Sequence, residues 1–233
     1  MSPPASRASS RTALPDSAAA ETPAPARGRS RAAQQRAHDT RAALLTTARR
    51  LFGTDGFHAT GTTDIVAEAK VTRGALYHHF RNKEELFEIV HRAVTLEISE
   101  EAQAATAAMT GHTLQRAMAT LRVYLDLLAT RRDIQRILLI DGPVVLGWER
   151  WRALRSEFAY AGWVQTLSLL AEQGRIVAVP IEPMAQIILA AVDEAALAVA
   201  HADDPAKTLE DMARALTLLI GGLVDTRHAP GPA

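Results

Sequence analysis

Apolar side chains recur at helical spacing through most of the chain. Leu44, Ala48, Leu51 and Phe52 stand at i, i+4, i+7 and i+8, which predicts a first helix over about 39–52. Gly53 and Gly56, on either side of Thr54-Asp55, stop it and turn the chain. Thr62 or Thr63 is then placed to cap a second helix with Ile65, Val66 and Ala69 inside, and Asp64 sits near its positive dipole end. Lys70-Val71 is the next turn. Thr72 caps a third helix, Arg73 to Phe80, whose Leu76 and Phe80 point inward. Asn82 with Glu85 forms a capping box for a fourth, running through Leu86, Ile89, Val90, Ala93 and Leu96 to about residue 109. Gly111 ends that helix. Further amphipathic segments are expected at about 113–129, 131–140, 148–173, 184–202 and 205–225. No strand-like alternation exceeds a few residues, and no proline falls between Pro25 and Pro143. The expected fold class is therefore all-α.

Composition divides the chain further. Residues 1–37 are rich in Ala, Ser, Pro and Arg, with six arginines against two acids, and are expected to form a disordered basic arm. Within it Arg27-Gly28-Arg29-Ser30-Arg31 is similar to the core of a minor-groove AT-hook but lacks flanking prolines. A solvated tail with weak nonspecific DNA attraction is the simpler account. Net charge is zero for the whole, yet residues 1–92 carry 14 basic and 9 acidic side chains and the remainder is acidic by the same margin. One end suits a polyanion. The absence of cysteine excludes disulfides, thiolate metal sites and a cysteine nucleophile, and fits a reducing cytoplasmic setting. No stretch approaches roughly 20 uninterrupted apolar residues, and no signal-like segment opens the chain.

Three short helices with a four-residue connection between the second and third, on the basic end, describe a helix-turn-helix over about residues 38–90. Opposite Leu76 and Phe80 the third helix presents Gly74 and His78, flanked by Arg73, Ala75 and Tyr77. This face carries donors and little bulk, as a major-groove reader requires. An exposed glycine there forgoes about 0.8–1.0 kcal/mol of helix stability, so its value lies in close approach.

The stretch Gly56-Phe57-His58-Ala59-Thr60, then Thr62-Thr63-Asp64-Ile65-Val66-Ala67-Glu68-Ala69, Val71-Thr72-Arg73-Gly74-Ala75-Leu76-Tyr77-His78-His79-Phe80 and Lys83-Glu84-Glu85-Leu86 resembles the DNA-binding domain of the tetracycline-repressor (TetR) family of transcriptional regulators. The resemblance implies that Thr62 or Thr63 and Tyr77 touch phosphates, that Thr72, Arg73, Gly74 and His78 face base edges, and that His79 and Lys83 hold the DNA backbone. Lys70 stands where the family usually has glycine. A left-handed lysine there costs about 1 kcal/mol or more, unless the turn is rearranged, and it adds a possible phosphate contact. The resemblance also implies a homodimer on a palindromic operator, most often as a repressor released by a small molecule.

Residues 91–228 are expected to form a larger helical regulatory and dimerisation domain. Ile188, Val192, Ala195 and Val199, with Leu209, Met212, Leu216, Leu219 and Leu223, form stripes suited either to a dimer interface or to the subunit's own core. All three tryptophans cluster nearby: Trp148, Trp151, Arg155 and Phe158 share a face, with Trp163 to one side. Facing Tyr124, Leu128 and Leu138, they are candidates to line a pocket for a small apolar or aromatic effector, beside an expected helix break at Ile140-Asp141-Gly142-Pro143-Val144. A ligand would act by population shift through the fourth helix. A constitutive or partner-controlled regulator without a ligand is the alternative. Catalysis is not expected, because His78 and His79 diverge and no metal, phosphate-loop or nucleophile-elbow motif accompanies them. Neither cofactor nor membrane partner is expected.

Overall fold

The computed structural model describes residues 27–110 and 113–224, which are helical apart from turns and one isolated bridge between Ile176 and Val224. Two compact units divide it, residues 1–37 and 38–233. The described part of the first is the opening of α1 (Arg27–Thr54), so residues 27–37 form helix where disorder was expected, and the AT-hook-like run is helical too. Residues 31–37 are exposed, which makes this a helix of propensity, carried by Ala, Gln and Arg beyond the last early proline. Residues 1–26 of the expected arm lie outside the described residues.

In the second unit α1 continues and is followed by α2 (Thr62–Glu68), α3 (Arg73–His79) and α4 (Lys83–Thr106). Their core is Leu44, Ala48, Leu51, Phe52, Ile65, Val66, Leu76, Phe80, Leu86 and Phe87, all buried. The rings of Phe52, Phe57 and Phe87 meet pairwise at 5.2–5.7 Å. Two expected caps form: Thr72 Oγ1 accepts from the Ala75 amide at 3.2 Å, and Asn82 Oδ1 from Glu85 at 2.8 Å. The α2 cap is different. Gly61 occupies it, with its amide donating to Asp64 Oδ2 at 3.0 Å, so neither Thr62 nor Thr63 is the cap. Lys70 adopts φ 56°, so the turn keeps the left-handed geometry and bears its strain.

The remaining elements are α5 (Thr113–Thr130), α6 (Arg132–Gln135), a π-helical turn (Arg136–Asp141), α7 (Gly142–Leu146), α8 (Trp148–Glu172), α9 (Ile181–Ala200) and α10 (Pro205–Gly221). The break expected at 140–144 is instead at Gly147, whose φ of 77° ends α7. Pro143 falls in the first turn of α7, where a missing N–H is harmless. Gly142 is required by packing, because a Cβ there would stand 2.9 Å from Trp151 Cδ1 and 3.0 Å from His91 Nε2. Helix α4 serves both halves: Leu86, Phe87 and Val90 pack in the first, and Val94, Ile98 and Ala102 continue the core into the second.

Helix α9, although interrupted by Glu182, Asp193 and Glu194, is long and apolar enough to cross a membrane by length and composition, with a mean hydropathy of 1.5. Here α9 packs between α8 and α10 with Ile188, Val192, Ala195, Ala196 and Val199 buried, so one face of its apolar surface is taken up by the bundle.

Candidate nucleic-acid interface and effector cavity

Helix α3 is held from beneath by Leu76 and Phe80, which leaves Thr72, Arg73, Gly74, Tyr77 and His78 exposed together on its outer side. Thr63 and Lys70 are exposed as well, while Thr62 and His79 are half-buried. Thr62, and after it Arg73, favour the ionised form of the nearby Tyr77 hydroxyl and hold it below the ordinary phenol range. Burial, and after it the neighbouring His78 and Arg41, holds His79 toward its neutral form. At Gly74 the nearest atom to an added Cβ would be Thr72 Oγ1 at 3.9 Å. Nothing in the described chain requires glycine there.

Lys83 has a different place from that expected. Its Nζ donates to the Phe57 carbonyl at 2.9 Å and the Thr60 carbonyl at 3.0 Å, and lies 4.0 Å from the Phe57 ring centroid. Two of its three N–H groups thus tie the start of α4 to the α1–α2 turn, and only the third is left for a phosphate. The same turn is gripped from the other side. The Phe57 amide donates to Asp141 Oδ2 at 2.8 Å, and Arg136 Nη1 donates to the Thr54 carbonyl at 2.6 Å. Gly56, at φ 88°, has no room for a side chain against Arg136, since a Cβ would lie 2.9 Å from Nε. Sequence reading misses Arg136 and Asp141, because nothing local marks a partner more than 80 residues away.

A cavity of about 330 Å³ opens between α4, α5, α8 and α9. Tyr124, Arg155, Phe158 and Trp163 line it, as expected. The other four candidates do not. Leu128, Leu138 and Trp151 are buried in the core, Trp151 Nε1 donating to the Leu138 carbonyl at 2.6 Å, and Trp148 is 54% exposed. A continuous aromatic stripe turns through more of the helix circumference than one cavity can face. Asp193, which the sequence did not single out, pairs with Arg155, with Nε to Oδ1 at 2.5 Å. Burial works against the Arg155 charge, but Tyr124 and Asp193 more than offset it and hold the guanidinium above its usual value. Burial in turn raises Tyr124.

His91, fully buried on α4, has no hydrogen-bond partner at either ring nitrogen among the described residues. Burial, followed by the Arg155 charge, lowers its pKa to about 3, with the Leu138 backbone opposing weakly. The folded chain therefore binds fewer protons here than the unfolded chain between pH of about 3 and 6.5, and stability falls as pH drops through that window. Denaturant melts should lose on the order of 5 kcal/mol from this group on full acidification. In His91→Leu that component should vanish; an unchanged pH profile in the variant would reassign the acid sensitivity.

Of the two readings left open for the α9 and α10 stripes, the subunit's own core takes most of their residues. Ile188, Val192, Ala195, Val199, Leu209 and Leu216 are buried by the subunit's own helices, and Met212 and Leu223 are half-buried. A stripe at helical spacing faces the nearest apolar surface, which here is the same chain. Leu219 is 51% exposed, and beside it the outer faces of α9 and α10 present Ile187 at 55% and Leu218 at 70%.

A helix-turn-helix head with an open reading face, on a helical body holding a cavity, defines a transcription-regulator architecture. Residues 44–90 match the family model for bacterial regulatory proteins of the tetR family, and residues 114–223 match the tetracyclin repressor-like C-terminal domain. A solved TetR-family transcriptional regulator from Pectobacterium atrosepticum is 32% identical, with a TM-score of 0.70, covering 82% of this chain and 96% of that one. A TetR transcriptional regulator from Chloroflexus aurantiacus is 23% identical, TM-score 0.64, covering 82% and 98%; this likeness shows the fold alone. The regulator AcrR of Shigella flexneri is 44% identical over 57 residues, which are 24% of this chain and 26% of AcrR. The alignment to YxaF of Bacillus subtilis, named an uncharacterized HTH-type transcriptional regulator, is 53% identical over 49 residues, 21% of this chain and 26% of that one. The chain thus spans about a quarter of these curated relatives. It belongs to the TetR family, and is a DNA-binding transcriptional regulator rather than an enzyme.

Proposed function

We propose that the chain acts in the cytoplasm as a homodimeric repressor of a palindromic operator, released when a small molecule enters the cavity. The observation that carries this reading is the outer side of α3, where Arg73, Gly74, Tyr77 and His78 stand exposed over a buried Leu76 and Phe80. Thr72, Arg73, Gly74 and His78 are assigned to base edges. Thr62, Thr63, Lys70, Tyr77 and His79 are assigned to phosphates, and the third N–H of Lys83 joins them. Dimerisation uses the outer faces of α9 and α10, whose exposed Ile187, Leu218 and Leu219 are apolar surface in need of cover.

The allosteric route runs from the cavity through Arg155, which lies 5.1 Å from the Trp151 ring, to Leu138 in the π-helical turn, and from Arg136 and Asp141 to the α1–α2 turn. A single-turn π-helix is a common place for a hinge. A ligand shifts DNA affinity only by its difference in affinity for the two head spacings. Selection from a random duplex pool tests the reading. It should recover an inverted repeat with half-sites one helical turn, about 34–36 Å, apart. Recovery of single half-sites, or of no consensus, refutes the dimeric reader.

A further inference from the structure

The opening turns of α1 are basic and bare. Between Glu21 and Asp39 the chain has four arginines, Arg27, Arg29, Arg31 and Arg36, and no acidic residue. Residues 31–37 are exposed at every position, and seven residues pass nearly twice round a helix, so each face of these turns meets solvent. Arg36 Nε donates to the Ala32 carbonyl one turn back at 3.2 Å, which lays that side chain along the helix. A helical segment with no packed face is marginal in water, and like charges crowded on it weaken it further. A polyanion laid against it removes that repulsion.

Its place in the chain selects the polyanion. Arg41, five residues after Arg36, belongs to the reading head, with its guanidinium 5.4 Å from the Phe80 ring centroid at the C-terminal end of α3. Five residues of extended chain reach at most about 18 Å, so the link from Arg36 to Arg41 is short whatever its path. A duplex seated on α3 carries a phosphate for about every 1.7 Å of its axis, and that rail of charge continues past the base pairs that α3 covers. A membrane or an acidic protein would need a separate approach; the duplex is already in place. Arginines without packed neighbours to fix their register do not discriminate base edges, so the contacts suited to them are with phosphates.

We propose that Arg27, Arg29, Arg31 and Arg36 bind the phosphates of the duplex flanking the half-site read by α3, which makes the opening of α1 a second, sequence-independent DNA surface. This inference rests on the reading of α3 as the seat of the duplex and lengthens the footprint of that site.

The test compares the full chain with a variant carrying Arg27→Gln, Arg29→Gln, Arg31→Gln and Arg36→Gln. Glutamine keeps the helix propensity of a segment that already contains Gln34 and Gln35. Both proteins are titrated by fluorescence anisotropy, at about 50 to 200 mM salt, with the inverted repeat cut flush at its ends and with the same repeat extended by about ten base pairs of arbitrary sequence on either side. On the flush duplex the two should bind alike, which also serves as the control for folding. Each phosphate contact is worth about 0.9 in the slope of log affinity against log salt. With two to four such contacts in the complex, the parent's affinity for the extended duplex should fall about 10- to 100-fold more than the variant's over that salt range. A variant with lysine at the same four positions keeps the charge and should retain most of the parent's slope.

Equal salt slopes for the parent and the glutamine variant on the extended duplex would overturn the assignment. So would a flank effect that changes with the flanking sequence, or a lysine variant no better than the glutamine one. A glutamine variant that keeps the parent's slope yet loses binding to vesicles of phosphatidylserine and phosphatidylcholine would assign the segment to a membrane surface instead. Where selection yields no inverted repeat, the reading of α3 fails by itself. A long arbitrary duplex then provides the same comparison of parent and variants, so the two failures are seen separately.

Discussion

Arg73→Ala protein should melt, sediment and show helicity like its parent, yet lose its operator. Arg73 is exposed in the first turn of α3, and its contact is with Tyr77 on the same helix, so its removal leaves the core of Leu76 and Phe80 untouched. A bidentate arginine-to-base contact discriminates by about 1–3 kcal/mol, and a twofold dimer makes it twice. The expected loss is therefore roughly 30-fold to 10⁴-fold in operator affinity. Gly74→Ala is the companion test. Its Cβ fits the free protein, so helix stability should rise by up to about 1 kcal/mol while operator binding weakens. A gel-shift series in which both variants bind like the parent would remove α3 from the interface.

Asp193→Ala carries the largest expected change in stability. It leaves the Arg155 guanidinium buried against Trp151 and Tyr124 with its main partner gone. Breaking a buried pair in this way costs about 3–5 kcal/mol, or roughly 6–20 °C in melting temperature for a chain of this size. Replacing both residues, with Arg155→Met and Asp193→Leu together, should be far milder, because no unpaired charge is left behind. If the single and double variants melt together, the pair is not the structural unit described.

Much of the reading head is legible in the residue order. The caps at Thr72 and Asn82, the inward Leu76 and Phe80, and the outward Gly74 and His78 all follow from spacing within one or two turns. The left-handed backbone of Lys70 is implied only by the family resemblance, which puts glycine at its place and leaves a rearranged turn open; the fold decides for the left-handed form, at φ 56°. Apart from the α2 cap at Gly61 and the early start of α1, errors begin where the answer depends on a partner distant in the chain. Lys83 at a helix start reads as a phosphate ligand until the Phe57 and Thr60 carbonyls, more than 20 residues earlier, are found on its ammonium. The stripe of Ile188, Val192 and Leu216 reads equally as interface and as core, since periodicity says that a face is covered and not by what.

Residue order, through local preferences and a period of 3.6, was enough for the all-α class, the limits of most helices and the side of α3 that looks outward. Those properties depend on neighbours a few positions apart. Pairings across long separations were settled only by the assembled bundle: Arg155 with Asp193, Asp141 with the Phe57 amide, and the choice of Tyr124, Phe158 and Trp163 over Trp148 and Trp151 as cavity wall. Each depends on how helices cross and which side chain fills the space between them, a matter of packing that no single segment encodes.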